Sequence, residues 1–161
     1  IEQSIADHAI QDGFTDLGPL EVVVYGPGAP EVVSSDTAID GDASLVFNFP
    51  GENWGGGYLQ LETSKDISAF TALKFSLNKP DSLVNCEIKL ESVASDAFVY
   101  LADYTGTELT DGFVEYTIPL ADFSGLNNTG LTIPFSMWNP QGSNGAYVKA
   151  TVLIDNIYFS M

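Results

Sequence analysis

Arginine is absent from this chain, lysine occurs five times, and 22 acidic residues leave a formal net charge of −17. That balance excludes nucleic acid as a partner, because phosphates need a cationic footprint. It disfavours anionic polysaccharides as well, since sulfate and uronate groups are gripped best by guanidinium forks. Histidine is nearly missing too: His8 is the only one. A Ser-His-Asp or Cys-His arrangement is therefore nearly excluded. The single cysteine, Cys86, rules out an internal disulfide and, with one histidine, the common zinc sites. No apolar run approaches the roughly 20 residues of a membrane span, so no membrane partner is expected. No signal-peptide pattern is visible at Ile1, and the missing initiator Met reads as an excised or mature part of a longer chain.

What is present is period two. Leu45, Phe47 and Phe49 alternate with Val46 and Asn48; Leu73, Phe75 and Leu77 alternate with Lys74, Ser76 and Asn78. Further strand-like runs are EVVVYG (21–26), GYLQLET (57–63), CEIKLES (86–92), AFVYLADY (97–104), VEYTIPLADF (114–123), LTIPFSMW (131–138) and ATVLIDNIYF (150–159). Turn-rich stretches separate them, among them PGAP, DGD, NKPDS and NPQGSNG. The pattern predicts an all-β fold, an antiparallel β-sandwich of the jelly-roll kind with about 8–10 strands, as one domain over 1–161. Residues 1–20 read as a linker or lead-in segment, with a weak helical pattern in IEQSIADHAIQ. Pro119 and Pro134 interrupt strand patterns and so mark edges or bulges, which sets Trp138 near a sheet margin or loop mouth.

The stretch GENWGGGYLQL admits three readings: a phosphate loop, a bare turn, or a clearing beside two aromatic rings. The phosphate reading fails, because no GxxxxGK[ST] pattern is present, no lysine follows until Lys65, and a strand rather than a helix comes next. Glycosidase chemistry needs two carboxylates, and Glu52 and Glu62 flank the glycines; a solvated acidic surface explains them as well. Calcium is a better fit for the acids. Asp12 and Asp16 precede the early strands, Asp40 and Asp42 form the DGD turn, and Asp155 interrupts an apolar final strand where it needs a partner. The alternative for Asp155 is hydrogen bonding to backbone N–H groups.

Trp54 and Trp138 fall outside the core-like alternation, among amides and glycines. A planar ring beside polar side chains suits a sugar, whose C–H face covers the ring while its hydroxyls find polar neighbours. Each tryptophan also has the plainer reading of a core cap.

Four segments carry a resemblance: DGDASLVFNF, ISAFTALKFSLNK, DGFVEYTIPLADFSG and VLIDNIYF, together spanning about residues 40–160. They resemble the β-jelly-roll carbohydrate-binding modules with a galactose-binding-like sandwich, in particular the β-glucan-binding modules of secreted glycoside hydrolases. That resemblance implies a bacterial, secreted, non-catalytic and monomeric module. It would target a covalently linked catalytic domain to a neutral polysaccharide, most simply a laminarin-type β-1,3 or mixed-linkage glucan. It implies a structural calcium joining Asp155 to the N-terminal region through Asp42 or Asp16. It also implies a glycan groove on a sheet face, which by position takes Trp54, Tyr58, Tyr100 and Trp138 for stacking. Glu52, Asn53, Gln60, Asn139 and Gln141 are the matching candidates for hydrogen bonds. The competing expectations are a linking sandwich without a sugar site and, less favoured, a small polysaccharide lyase or hydrolase.

Overall fold

The computed structural model describes residues 20–161. Twelve strand segments follow in order: β1 (Leu20–Tyr25), β2 (Glu31–Ser35), β3 (Ser44–Phe49), β4 (Gly56–Leu61), β5 (Ala72–Asn78), β6 (Asn85–Ser92), β7 (Ser95–Tyr100), β8 (Thr107–Glu108), β9 (Val114–Pro119), β10 (Leu131–Ile133), β11 (Phe135–Gln141) and β12 (Ala150–Ser160). Two short 3-10 turns, Leu101–Asp103 and Leu120–Asp122, complete the regular structure of the described residues. All pairings are antiparallel. The first sheet runs β1-β4-β11-β6, with β10 beside β11 on one edge of β6 and β7 on the other; the second runs β2-β3-β12-β5-β9-β8. This is the antiparallel sandwich that the alternation predicts.

The alternation has a physical reason. In β6, Cys86, Ile88, Leu90 and Ser92 point into the core while Glu87, Lys89 and Glu91 point outward; β5 and β3 keep the same inward alternation, although Ser76 and Val46 on their outward side are buried as well. The inner faces meet in one apolar cluster. Phe75 of the second sheet packs edge-on against Phe135 of the first, with ring centroids 5.1 Å apart. Buried phenylalanines of this kind supply the core with area at about 25 cal/mol per Å² of apolar surface.

Pro134 lies between β10 and β11, where the register against β6 shifts from Ile133↔Glu91 to Met137↔Ile88. It is the bulge that a proline in a strand demands. Pro119 ends β9. The expectation that Trp138 sits at a sheet margin is corrected: β11 lies inside the first sheet, paired on both sides. The run Trp138-Asn139-Pro140-Gln141 reads as a loop by composition but continues the strand. Asn139 takes a left-handed φ of 56° and exchanges hydrogen bonds with Gly55, its N–H to the Gly55 carbonyl at 2.9 Å and its Oδ1 from the Gly55 N–H at 3.0 Å.

Candidate functional site

The outward side of the first sheet brings distant segments into rows. Cross-strand register places Tyr25 opposite Gly56, Gly56 opposite Trp138, Trp138 opposite Glu87, and Glu87 opposite Tyr100. One row therefore crosses the sheet as Tyr25–Gly56–Trp138–Glu87–Tyr100. Beside it, Val23 faces Tyr58, Tyr58 faces Ser136, and Lys89 faces Phe98. At the β10 end lie Glu21 with Gln60, and Glu91 with Asp96. Tyr25, Phe98 and Tyr100 are exposed at 62%, 45% and 47%, and Trp54 at 43%, so this face is aromatic and accessible to a ligand.

The three glycines of GENWGGGYLQL each solve a different steric problem. A Cβ on Gly55 would come within 2.4 Å of the Gly28 carbonyl carbon, and one on Gly28 would meet the Asn53 carbonyl, so the rim loops 26–29 and 53–55 close on each other through glycines on both sides. A Cβ on Gly56 would come within 2.5 Å of Trp138 Cδ2 and Cε3, so the indole of Trp138 leans across β4 on the outward side. A Cβ on Gly57 would come within 2.6 Å of Phe47 Cζ, on the inward side. The stretch is thus a clearing for the Trp138 ring outside and for the Phe47 ring inside.

Around that clearing the rings support one another. Trp138 and Tyr58 lie nearly parallel, 6.2 Å apart with 19° between planes. Trp54 leans over Gly26 and stands 5.9 Å from Tyr25. Phe98 and Tyr100 meet edge to face at 5.4 Å. The indole N–H of Trp138 is buried without a hydrogen-bond partner, a cost of about 1–3 kcal/mol carried at the middle of the face. Burial raises the Tyr58 hydroxyl above its ordinary pKa, with the charges of Glu91 and Glu21 adding to the effect.

The structure brings Trp54, Trp138, Tyr58, Tyr100 and Gln60 to one face or its rim. Gln60 and Asn139 are committed to holding strands: the Gln60 amide donates to the carbonyls of Leu61 and Thr132, both at 3.1 Å, and Asn139 Nδ2 donates to Glu87 Oε2 at 2.6 Å. Asn53 Oδ1 accepts the Trp54 N–H and shapes the rim loop, which also holds the exposed Glu52. Gln141 lies at the far end of β11, bridged to Tyr147 and Asn85. Three residues escape the composition argument: Tyr25, Glu87 and Phe98. Parity within their strands marks them as outward-facing, but only cross-strand register shows that they join Trp138. Tyr104, which shares parity with Tyr100 in the sequence, leaves the face after the 3-10 turn and donates to Asp122 Oδ2 at 2.7 Å.

The acids proposed for calcium behave differently. Asp155 is fully buried on β12, and its Oδ2 accepts the N–H groups of Ile39 (2.7 Å) and Asp40 (2.9 Å) while Oδ1 accepts that of Asn156 (2.9 Å). Burial pushes this carboxyl's pKa up, and the three N–H bonds offset part of the rise. Both lone pairs of Oδ2 are used, leaving one on Oδ1. The cross-strand Ser76 hydroxyl and the Asn156 side-chain oxygen are buried without partners. These side-chain oxygens alone are fewer than the six to eight that calcium takes, so backbone carbonyls, water or further acids would have to complete a shell; no cluster of three or more His, Cys, Asp or Glu suited to a metal occurs among the described residues. Asp42 is exposed in its turn, and Asp12 and Asp16 lie outside the described residues.

No family model matches the sequence, and no curated protein matches it. Solved structures share the fold. The family 30 carbohydrate-binding module of a cellulosomal cellulase of Clostridium thermocellum superposes with a TM-score of 0.63 at 16% identity, covering 83% of each chain. The family 11 carbohydrate-binding module from the same organism, in complex with a β-1,3-1,4-mixed-linked tetrasaccharide, gives 0.59 at 12% identity over 88% of each chain. A structure described as showing promiscuous specificity of carbohydrate-binding modules from the β-sandwich superfamily gives 0.55 at 16%, over 87% of this chain and 57% of that one. At these identities the likeness establishes the fold that this chain shares with carbohydrate-binding modules.

Proposed function

We propose that the outward face of the first sheet binds a neutral, extended β-glucan, and that the domain delivers a linked catalytic domain of a secreted enzyme to that polysaccharide. The observation that carries the reading is the row Tyr25–Gly56–Trp138–Glu87–Tyr100 across the strands. Strands are spaced about 4.8 Å apart, so the backbone positions of its aromatic members recur at roughly 10 Å, every second strand, with the Trp138 ring leaning toward β4. That interval is close to one disaccharide repeat of an extended β-1,4-linked chain, which presents the same ring face only at every second residue. A chain lying along the row stacks alternate hexoses on Tyr25, Trp138 and Tyr100. A continuous β-1,3 chain coils and loses this match, so a mixed-linkage glucan with β-1,4 runs fits better than laminarin.

Charge supports a neutral ligand. Glu21, Glu87, Glu91 and Asp96 point to this face, where Lys89 is the one cation among the described residues, 3.9 Å from both Glu91 and Asp96. Anionic glycans meet repulsion there, whereas an uncharged chain binds with little dependence on salt. Affinity in the micromolar range is expected, because a few stacked rings must outweigh the ordering of a flexible chain. Titration calorimetry against mixed-linkage glucan, laminarin and alginate tests this. Heat with the first, little with the second and none with the third is expected. Silence with every neutral glycan leaves the domain as a linking sandwich.

A further inference from the structure

We infer that Glu87 sets which glycan the face retains, by accepting hydroxyl groups from the hexose that lies between Trp138 and Tyr100. The inference rests on the glycan reading and adds a residue and a selectivity to it. Glu87 is the single charged side chain in the central row, one strand from Trp138 and one from Tyr100. It is half-buried and fixed in place. Asn139 Nδ2 holds Oε2 at 2.6 Å, and Asn139 is itself locked by Gly55 on the rim loop. Oε1 makes no hydrogen bond to the described residues. Lys89, the cation on this face, is turned to Glu91 and Asp96 instead.

An ionised carboxylate accepts only, and its hydrogen bonds are about twice as strong as neutral ones. The free oxygen therefore selects a ring that offers a hydroxyl donor at its edge, in the plane of the stacked chain. Equatorial hydroxyls of a gluco-configured ring lie in that plane; a manno-configured ring keeps its equatorial 3-hydroxyl, but its axial 2-hydroxyl points along the ring normal, so the selectivity acts through the 2-hydroxyl. A site built to pair a hydroxyl discriminates strongly against a ligand that leaves the pairing unmade. Asn139, by this argument, is a positioning residue that reaches the ligand through Glu87.

The test compares cellohexaose with mannohexaose on the wild-type domain, Glu87→Gln and Trp138→Ala, with far-UV circular dichroism and Tm as fold controls. Glutamine keeps the size of the side chain and removes the charge, so folding is retained. Glu87→Gln is expected to weaken cellohexaose roughly tenfold or more, the loss of one charge-assisted hydrogen bond. Mannohexaose should change less than about threefold, so the gluco-to-manno ratio collapses. An unchanged ratio in Glu87→Gln, with binding strongly weakened in Trp138→Ala, overturns the role of Glu87 and leaves the glycan face standing. Unchanged binding in Trp138→Ala overturns the face itself and this inference with it.

Discussion

On the outward face of the first sheet, neighbouring strands present Tyr25, Tyr58, Trp138, Phe98 and Tyr100 around a carboxylate with an open oxygen. On the outward face of the second sheet, equivalent positions carry Asn48 bonded to Thr151 at 2.7 Å, Lys74 over the ring of Tyr158 at 6.0 Å, and Asn78 bonded to the Asp111 carbonyl. Asp155, also on that side, is covered by the segment whose Ile39 and Asp40 N–H groups it accepts. Both faces arise from the same two-residue alternation over one core. They differ in their rings: on the first face Tyr25, Phe98 and Tyr100 are exposed, whereas on the second Tyr158 is half-buried beneath Lys74. Polar groups pair on both faces, and the second also buries the Ser76 hydroxyl and the Asn156 side-chain oxygen without partners. A face with exposed rings is built to receive something.

The largest effect that breaks this comparison is truncation of one ring on each face. Trp138→Ala should cost the glycan about 2 kcal/mol, roughly thirtyfold in affinity, as a central stacked anchor does. Tyr158→Ala, on the second face, should leave affinity unchanged in the same calorimetric titration. Equal losses would erase the distinction between the faces.

Asp155→Asn should show the opposite profile. A carboxamide cannot offer acceptors on both of its ends, and the N–H groups of Ile39 and Asp40 would meet an NH2. A loss of about 1–3 kcal/mol in denaturant unfolding is expected, with glycan affinity retained. Chelator should leave Tm unmoved if the three backbone N–H groups are what satisfies the Asp155 carboxylate. A chelator-dependent fall would bring in Asp12 and Asp16 as the missing ligands.

Gly57→Ala sharpens the inner boundary of the first face. Its Cβ would enter the ring of Phe47, an overpacking that typically costs about 1–3 kcal/mol. Thermal unfolding should register it, while the folded fraction keeps its affinity because Trp138 stands on the other side of the strand.

The smallest effect lies away from both faces. Burial, then the hydrogen bond to Asp122, pushes the Tyr104 hydroxyl up to about 12 from its ordinary 10.0. The folded pKa is thus above the unfolded one. The stability this contributes is fully present below pH 10 and is lost as pH rises toward 12. Tyr104→Phe should flatten the fall in Tm across that window and leave the neutral-pH titration with glycan unaltered.

Much of this was readable from period two, and the exceptions have local causes. Strand β6 alternates strictly, and β3, β5 and β12 keep an alternating inward set despite the buried Val46 and Ser76 and the bulge after Asp155, so all four are legible. Segment β2, Glu-Val-Val-Ser-Ser, lies at a sheet edge with no fully buried residue, so its alternation carries no signal. Trp138 looked like a loop residue because its neighbours are turn-formers, yet Asn139 adopts a left-handed backbone and the strand runs on. Trp54 does belong to a rim loop, as its glycine neighbours indicate. Asp155 could be seen to need a partner; that the partners are N–H groups of residues far away in sequence could not. Tyr25, Glu87 and Phe98 were hidden for the same reason: strand parity fixes which way a side chain points, but register fixes what it stands beside.

The central claim is most directly tested by mapping amide chemical shifts of the labelled domain during titration with a mixed-linkage glucan oligosaccharide. The perturbed amides should cluster on β1, β4, β11, β6 and β7, strongest near Gly56, Glu87 and Trp138, and the amides of β2, β3, β12, β5 and β9 should stay still. Perturbations centred on the second sheet, or none at saturating ligand, would contradict it.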